Sequence, residues 1–258
     1  MALGEDLALL AVDPRGGAVR RADRIGFPLR ASELVELALA GRIEVADGRI
    51  RVIDPTWMDK RRLDETLSAL VKAKRAPTIR EWTRDTPRGY AMVREYLVVL
   101  KRQGAVRLVQ FGNGRSAKTR VVLLDPGRRD AVMARIDRVA RGKPADEADL
   151  ALAALVCSCG LSRCLPLGIK ARWRLARTVM SWRNGHSAED VVEAAKQGGA
   201  EALERSNSTK VALLTDEVID WALRRYRDMK VRSTGRPYVP PAGFGSEFDQ
   251  SSGQDGVS

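Results

Sequence analysis

Histidine is almost absent: His186 is the only one in 258 residues. Acid–base designs that use two imidazoles are excluded. His186 follows Asn184-Gly185, which reads as a loop, so a surface role is expected for it rather than catalysis. No G-x-S-x-G, H-E-x-x-H, Walker A or G-x-G-x-x-G pattern occurs. Esterase, zinc-protease and nucleotide-cofactor chemistries therefore lack their usual anchors. No catalytic residue is assigned, and no cofactor is expected. Cysteine is scarce as well. Cys157, Cys159 and Cys164 form a C-x-C pair plus one, with no second pair. A metal site is not expected from that spacing. Small apolar filling of a buried helix fits it better, because LALAALVCSCGL is apolar nearly all round. Long apolar runs are missing too. None reaches the roughly 18 residues that would span a bilayer. The opening MALGEDLALLAVD carries acids where a signal peptide would carry bases. A cytoplasmic protein, touching membrane only peripherally, is the expectation.

What is abundant is arginine. Lys plus Arg number 45, of which 35 are arginine, against 33 Asp plus Glu, for a net charge of +12. Such an excess favours phosphate-bearing partners but does not select a fold. The preference for arginine over lysine also matches codon bias in a GC-rich genome and points to a bacterial source. Apolar residues make up 44% of the chain, enough for an ordinary core.

Patterning gives a mainly α fold with one or two β-hairpins. Residues 5–12 are an apolar run compatible with helix or strand. Pro28 opens a helix to about Leu39, with Gly41 as its left-handed cap. Short alternating segments flank Asp47-Gly48, a strong hairpin signal. Leu63, Leu67 and Leu70 mark a helix, 78–82 a short one, and Met92 to Leu100 another. Segments 105–111 and 119–124 flank Gly112-Asn113-Gly114 as a second hairpin. Helices are expected at 128–141, 149–164, 169–183, 187–205 and 215–229. A helical domain over 1–231 and a disordered tail over 232–258, rich in Gly, Pro, Ser and Gln, complete the expected organisation.

Basic clusters recur: Arg20, Arg21 and Arg24; Lys60, Arg61 and Arg62; Arg84, Arg88 and Arg94; Arg172, Arg174 and Arg177. Most are expected to be solvated helix faces. Arg30 stands apart, because the pattern places it in the first turn of its helix. A helix N-terminus attracts anions and disfavours cations. The placement makes sense when a phosphate is held there by dipole and guanidinium together.

Residues 29–43, Leu-Arg-Ala-Ser-Glu-Leu-Val-Glu-Leu-Ala-Leu-Ala-Gly-Arg-Ile, resemble the hallmark helix of the Golgi phosphoprotein 3 family. Further pieces follow in that family's order. Leu63-Asp64-Glu65-Thr66-Leu67 resembles its L-D-E-A-L. Trp82 resembles its single tryptophan before a linker. Val93-Arg94-Glu95 with Leu97 resembles its V-R-E-R-L, and the run from Leu150 resembles its late apolar helix. The likeness covers roughly 1–165 and marks the chain as a bacterial-type member. It implies a compact helical fold with a β-hairpin, and peripheral binding to phosphatidylinositol 4-phosphate without catalysis. In the family the head group meets one tryptophan and three arginines. Arg30 matches the first arginine and Arg94 the last. The middle one is Ala91 here, and the tryptophan position falls near Arg21. Arg21 and Arg88 are the candidate substitutes. The family's hairpin tip serves membrane insertion and self-association, so a homo-oligomer is among the expected partners beside anionic phospholipid. Here the tip, 112–118, is polar and basic, with Arg115 and Lys118 facing a membrane by charge.

A nucleic-acid regulator is the alternative. Residues 78–124 read as helix, helix and basic-tipped hairpin, the outline of a winged helix. Its recognition helix, 90–103, carries few polar side chains to read base edges.

Overall fold

The computed structural model describes residues 2–84, 90–111, 118–184 and 214–215. Among them are eight α-helices and two antiparallel hairpins. The expected mainly α architecture is the one observed.

Helix α1, Leu3–Ala11, settles the ambiguous first run as a helix. Seven of its nine residues are apolar or glycine, and all of these are buried. Its two acids reach cations on a later helix. Arg128 donates to Glu5 at 2.7 Å, and Arg135 to Asp6 at 2.5 Å. Burial nonetheless pushes the Asp6 carboxyl above its ordinary pKa, with Arg135 opposing the shift.

Helix α2, Gly26–Leu39, lies against α1. It starts two residues before Pro28, not at it. The first four N–H groups of a helix have no intrahelical acceptor, so proline is tolerated anywhere in that turn. Gly41 closes the helix at φ 68, as expected. Strands β1, Ile43–Ala46, and β2, Arg49–Val52, pair from Ile43↔Val52 to Ala46↔Arg49. Asp47 and Gly48 between them both have positive φ, the geometry a two-residue hairpin requires.

Helices α3, Arg61–Val71, and α4, Ile79–Arg84, pack on α2. Helix α5, Tyr90–Arg102, packs on both α1 and α2 through Met92, Val93, Tyr96, Leu97 and Leu100. Strands β3, Val106–Phe111, and β4, Lys118–Leu123, pair from Val106↔Leu123 to Phe111↔Lys118. Helix α6, Pro126–Ala140, is capped by Asp125, whose carboxylate accepts from the Arg128 N–H at 2.8 Å. Helix α7, Glu147–Ser158, is capped by Asp146 in the same way. It is buried all round from Ala151 to Val156. The expected helix over 149–164 ends early. Gly160 adopts φ 69 and starts a separate 3-10 turn, Leu161–Arg163. Helix α8, Ile169–Asn184, packs on α6 and α7.

The helices expected at 187–205 and 215–229, His186 and the tail at 232–258 lie outside the described residues, apart from Leu214 and Thr215, a buried helical pair. The cysteines are buried or half-buried and free. Burial raises the Cys157 thiol to about 11 and Cys159 to about 12, so both stay protonated.

Candidate functional site

Four helices converge on one carboxylate. On α2, Arg30 and Glu33 are three residues apart and share a face. On α3, Arg62 and Thr66 are four apart and point the same way. Helix α5 contributes Met92, Glu95 and Tyr96. Helix α4 contributes Trp82. That short helix is fixed by a reciprocal cap: the Glu81 N–H donates to the Thr78 hydroxyl at 3.1 Å, and the Thr78 N–H donates to the Glu81 carboxylate at 2.9 Å. The first hairpin holds the segment in place, since the Ile50 N–H donates to the Pro77 carbonyl at 2.8 Å.

Glu33 has no solvent exposure. A buried charge is tolerable only when paired and hydrogen-bonded. Arg30 donates to it at 2.8 Å and the Thr66 hydroxyl at 2.9 Å. Arg62 donates with two nitrogens, at 2.5 and 3.0 Å. The Tyr96 hydroxyl sits 3.2 Å from both Glu33 and the Leu29 carbonyl. Arg62 also pairs with Glu95 and lies over the Tyr96 ring, 4.6 Å from its centroid. Burial opposes the Arg62 charge, but Glu33, Tyr96 and Glu95 outweigh it and raise its pKa. The Tyr96 phenol is pushed well above its ordinary value, by burial first and Glu33 second. Gly4 of α1 abuts this ring: a Cβ there would stand 2.4 Å from the Tyr96 Cε1.

Arg30 is the outermost cation of the group, with a side-chain exposure of 25%. Its guanidinium stacks 4.5 Å from the Trp82 ring centroid. One terminal nitrogen serves both Glu33 and Thr66. Among the described residues, its Nε and second terminal nitrogen donate to nothing. The guanidinium is thus held on one edge by a carboxylate and on one face by an indole, with two nitrogens open.

Arg30 is the fifth residue of α2, not part of its first turn. The reasoning that a cation in the first turn calls for an outside anion is corrected: Glu33 already balances it. Arg21 lies in the turn before α2, where its carbonyl accepts from the Arg24 and Ile25 N–H groups. It has φ 57, and its Nε is buried without a partner among the described residues. Arg94 is half-buried on α5, within electrostatic reach of Tyr90. Burial raises the Tyr90 phenol to about 12 and Arg94 opposes the rise. No described contact joins Arg30 to Arg21 or Arg94. Arg88 and Arg115 lie outside the described residues, as does the side chain of Lys118, whose backbone opens β4.

Glu33, Arg62, Thr66, Trp82 and Tyr96 were not expected at this site. Arg62 sits in a basic triplet that reads as a solvated face. Arg61 does behave so, in an exposed pair with Glu65. The overlooked signal was Glu33 itself, a carboxylate between Leu29 and Leu37 on an apolar face, which demands a buried cation. Trp82 carried no signal, because no local pattern links it to Arg30 across 51 intervening positions.

Among curated proteins, none matches the chain. The sequence model of the Golgi phosphoprotein 3 (GPP34) family matches residues 3–202, and the chain belongs to that family.

Proposed function

We propose that the protein is a non-catalytic peripheral membrane protein that binds the phosphorylated inositol head group of an anionic lipid, phosphatidylinositol 4-phosphate by family likeness. The observation that carries this reading is the Arg30 guanidinium, oriented by Glu33 and Trp82 with two nitrogens unspent. A planar fork with two open N–H edges suits a phosphate oxygen pair. Family membership supports the lipid class. Arg94, Arg21 and Arg88 are the further head-group contacts proposed, with Arg115 and Lys118 proposed as the membrane-facing cations of the second hairpin's tip. No helix among the described residues is long and apolar enough to cross a membrane, which accords with a peripheral mode.

The nucleic-acid reading loses its recognition element. The apolar side of α5 is buried against α1 and α2, and its outer side carries Ala91 and Glu95, which offer little for reading base edges. The test pairs two assays at physiological salt. Co-sedimentation is measured with vesicles containing phosphatidylinositol 4-phosphate or plain phosphatidylinositol, and mobility shift on duplex DNA. Selective pelleting with the phosphorylated lipid is expected. Tight DNA binding without pelleting would sink the proposal.

A further inference from the structure

Helix α8 carries two apolar faces, one packed on α6 and α7 and the other exposed. Leu175, Val179 and Trp182 are buried where the helix meets α6 and α7. Ile169, Trp173, Ala176 and Met180 form a second stripe at spacings of four, three and four. At 100° per residue these positions span roughly 60° of the circumference. Ile169 is 72% exposed, Trp173 75% and Met180 48%. Large apolar side chains gathered on one exposed strip mark an interaction surface.

Charge identifies what that surface meets. Helix α8 contains Lys170, Arg172, Arg174, Arg177 and Arg183, and no acid at all. Lys170, Arg174 and Arg177 follow one flank of the stripe. Arg172 lies on the other and donates to the Leu167 carbonyl at 2.8 Å. A second copy of this chain, at +12, would bring like charge to the contact. An anionic bilayer surface brings the opposite charge, and it offers an apolar layer beneath the head groups. Tryptophan belongs at that boundary, with an apolar ring and a polar N–H. Arginine and lysine stems lie along apolar surface while their charges stay among phosphates. A helix of 16 residues with a basic flank and a Trp/Ile stripe has the build of an interfacial helix lying in the membrane plane.

We infer that α8 is the membrane-docking helix of this protein, its exposed Ile169 and Trp173 side chains inserting among the lipids of an anionic bilayer. The inference rests on the peripheral-membrane reading above and supplies the apolar insertion that the polar hairpin tip lacks.

The test uses the full chain and vesicles of phosphatidylcholine, alone or with phosphatidylserine, phosphatidylinositol or phosphatidylinositol 4-phosphate. The double variant Ile169→Glu/Trp173→Glu is expected to bind phosphatidylserine vesicles about tenfold or more weakly, since two apolar side chains lose their burial. Its preference for phosphatidylinositol 4-phosphate over phosphatidylinositol should persist, and so should its Tm. Brominated lipids should quench the wild-type tryptophan fluorescence, and Trp173→Phe should remove that quenching while binding persists. Vesicle binding by the double variant equal to wild type overturns the inference and leaves the head-group reading intact. Loss of the head-group preference in wild type, with the stripe still required for phosphatidylserine vesicles, does the reverse. A fall in Tm with unchanged quenching in Trp173→Phe would overturn it as well. That result would assign the stripe to packing within the chain, residues 187–205 with their five acids included.

Discussion

Arg30 and Glu33 stand one turn apart on α2, joined at 2.8 Å, with the carboxylate wholly buried and the guanidinium a quarter exposed. The pair has two jobs. Glu33 locks α2, α3 and α5 together, and it aims Arg30 outward. Arg62 shares the same carboxylate from the opposite side. Removing Glu33 therefore leaves a mostly buried cation with only the half-exposed Glu95 as counter-charge, whereas removing Arg30 leaves Glu33 paired with Arg62.

The first prediction follows from that asymmetry. Glu33→Gln leaves Arg62, with only 14% side-chain exposure, facing a neutral amide, with Glu95 as its one remaining carboxylate. The expected cost is about 1.5–3 kcal/mol of unfolding free energy, read by denaturant titration. Arg30→Ala should cost about 1 kcal/mol or less. Equal costs would mean that Arg62 does not hold the carboxylate.

Trp82 gives the second. Its ring lies against Arg30 at 4.5 Å, so Trp82→Leu removes a cation–π contact of about 0.5–1 kcal/mol and frees the guanidinium. Vesicle affinity for the phosphorylated lipid should fall by about two- to fivefold. Trp82→Phe should retain most of it. Identical losses for Leu and Phe would assign Trp82 a purely packing role.

Gly4 gives the third. The Tyr96 ring already occupies the place of a Cβ, at 2.4 Å. Arg62 stacks on that ring and Glu33 accepts from its hydroxyl, which fixes its place. Gly4→Ala is therefore expected to destabilise by about 1–3 kcal/mol through overpacking, read as a shift in denaturant midpoint. Gly41→Ala, with open space around it but φ 68, should cost less than that through backbone strain alone.

Glu36 supplies a pH dependence. It is buried on α2 and accepts from the Gly4 N–H at 3.1 Å, with Lys60 at 3.8 Å. Burial raises its carboxyl to about 7 from 4.5, with Gly4 and Lys60 opposing. Between those values the native state keeps a proton that the unfolded chain has released. Its contribution is therefore complete below about 4.5 and is lost as pH rises towards about 7. The loss is on the order of 3 kcal/mol. Glu36→Gln, uncharged at every pH, should show none of this decline. The difference in unfolding free energy between the two proteins from pH 4 to pH 8 isolates the effect. A flat difference would place the Glu36 carboxyl in the ordinary range.

Helices α2 to α8, both hairpins and the buried character of α7 were legible in the sequence, because period and turn chemistry are local properties; the run that forms α1 was too short to separate helix from strand. Asp47-Gly48 specified its own turn. Helix ends were less so. Pro28 suits any position in a first turn, so it marked the start of α2 only to within two residues. The Gly160 break in α7 was masked by the apolar run across it. At the candidate site, the sequence drew attention to Arg30 through a first-turn placement that α2 does not give it, and its surroundings were not legible. Arg62, Trp82 and Tyr96 reach it from α3, α4 and α5 through tertiary contacts with no sequence period. Arg61 and Arg62 are adjacent and alike in type, yet one is solvated and one buried, a difference set by helical phase.

The most direct test of the account is the affinity of the full chain for a short-chain soluble phosphatidylinositol 4-phosphate, wild type against Arg30→Ala, with the fold checked by circular dichroism. Loss of one charged hydrogen-bond set predicts a fall of about tenfold to a hundredfold, with no comparable change for phosphatidylinositol. An unchanged affinity for the phosphorylated lipid in a folded Arg30→Ala protein would contradict the claim that Arg30 holds the phosphate.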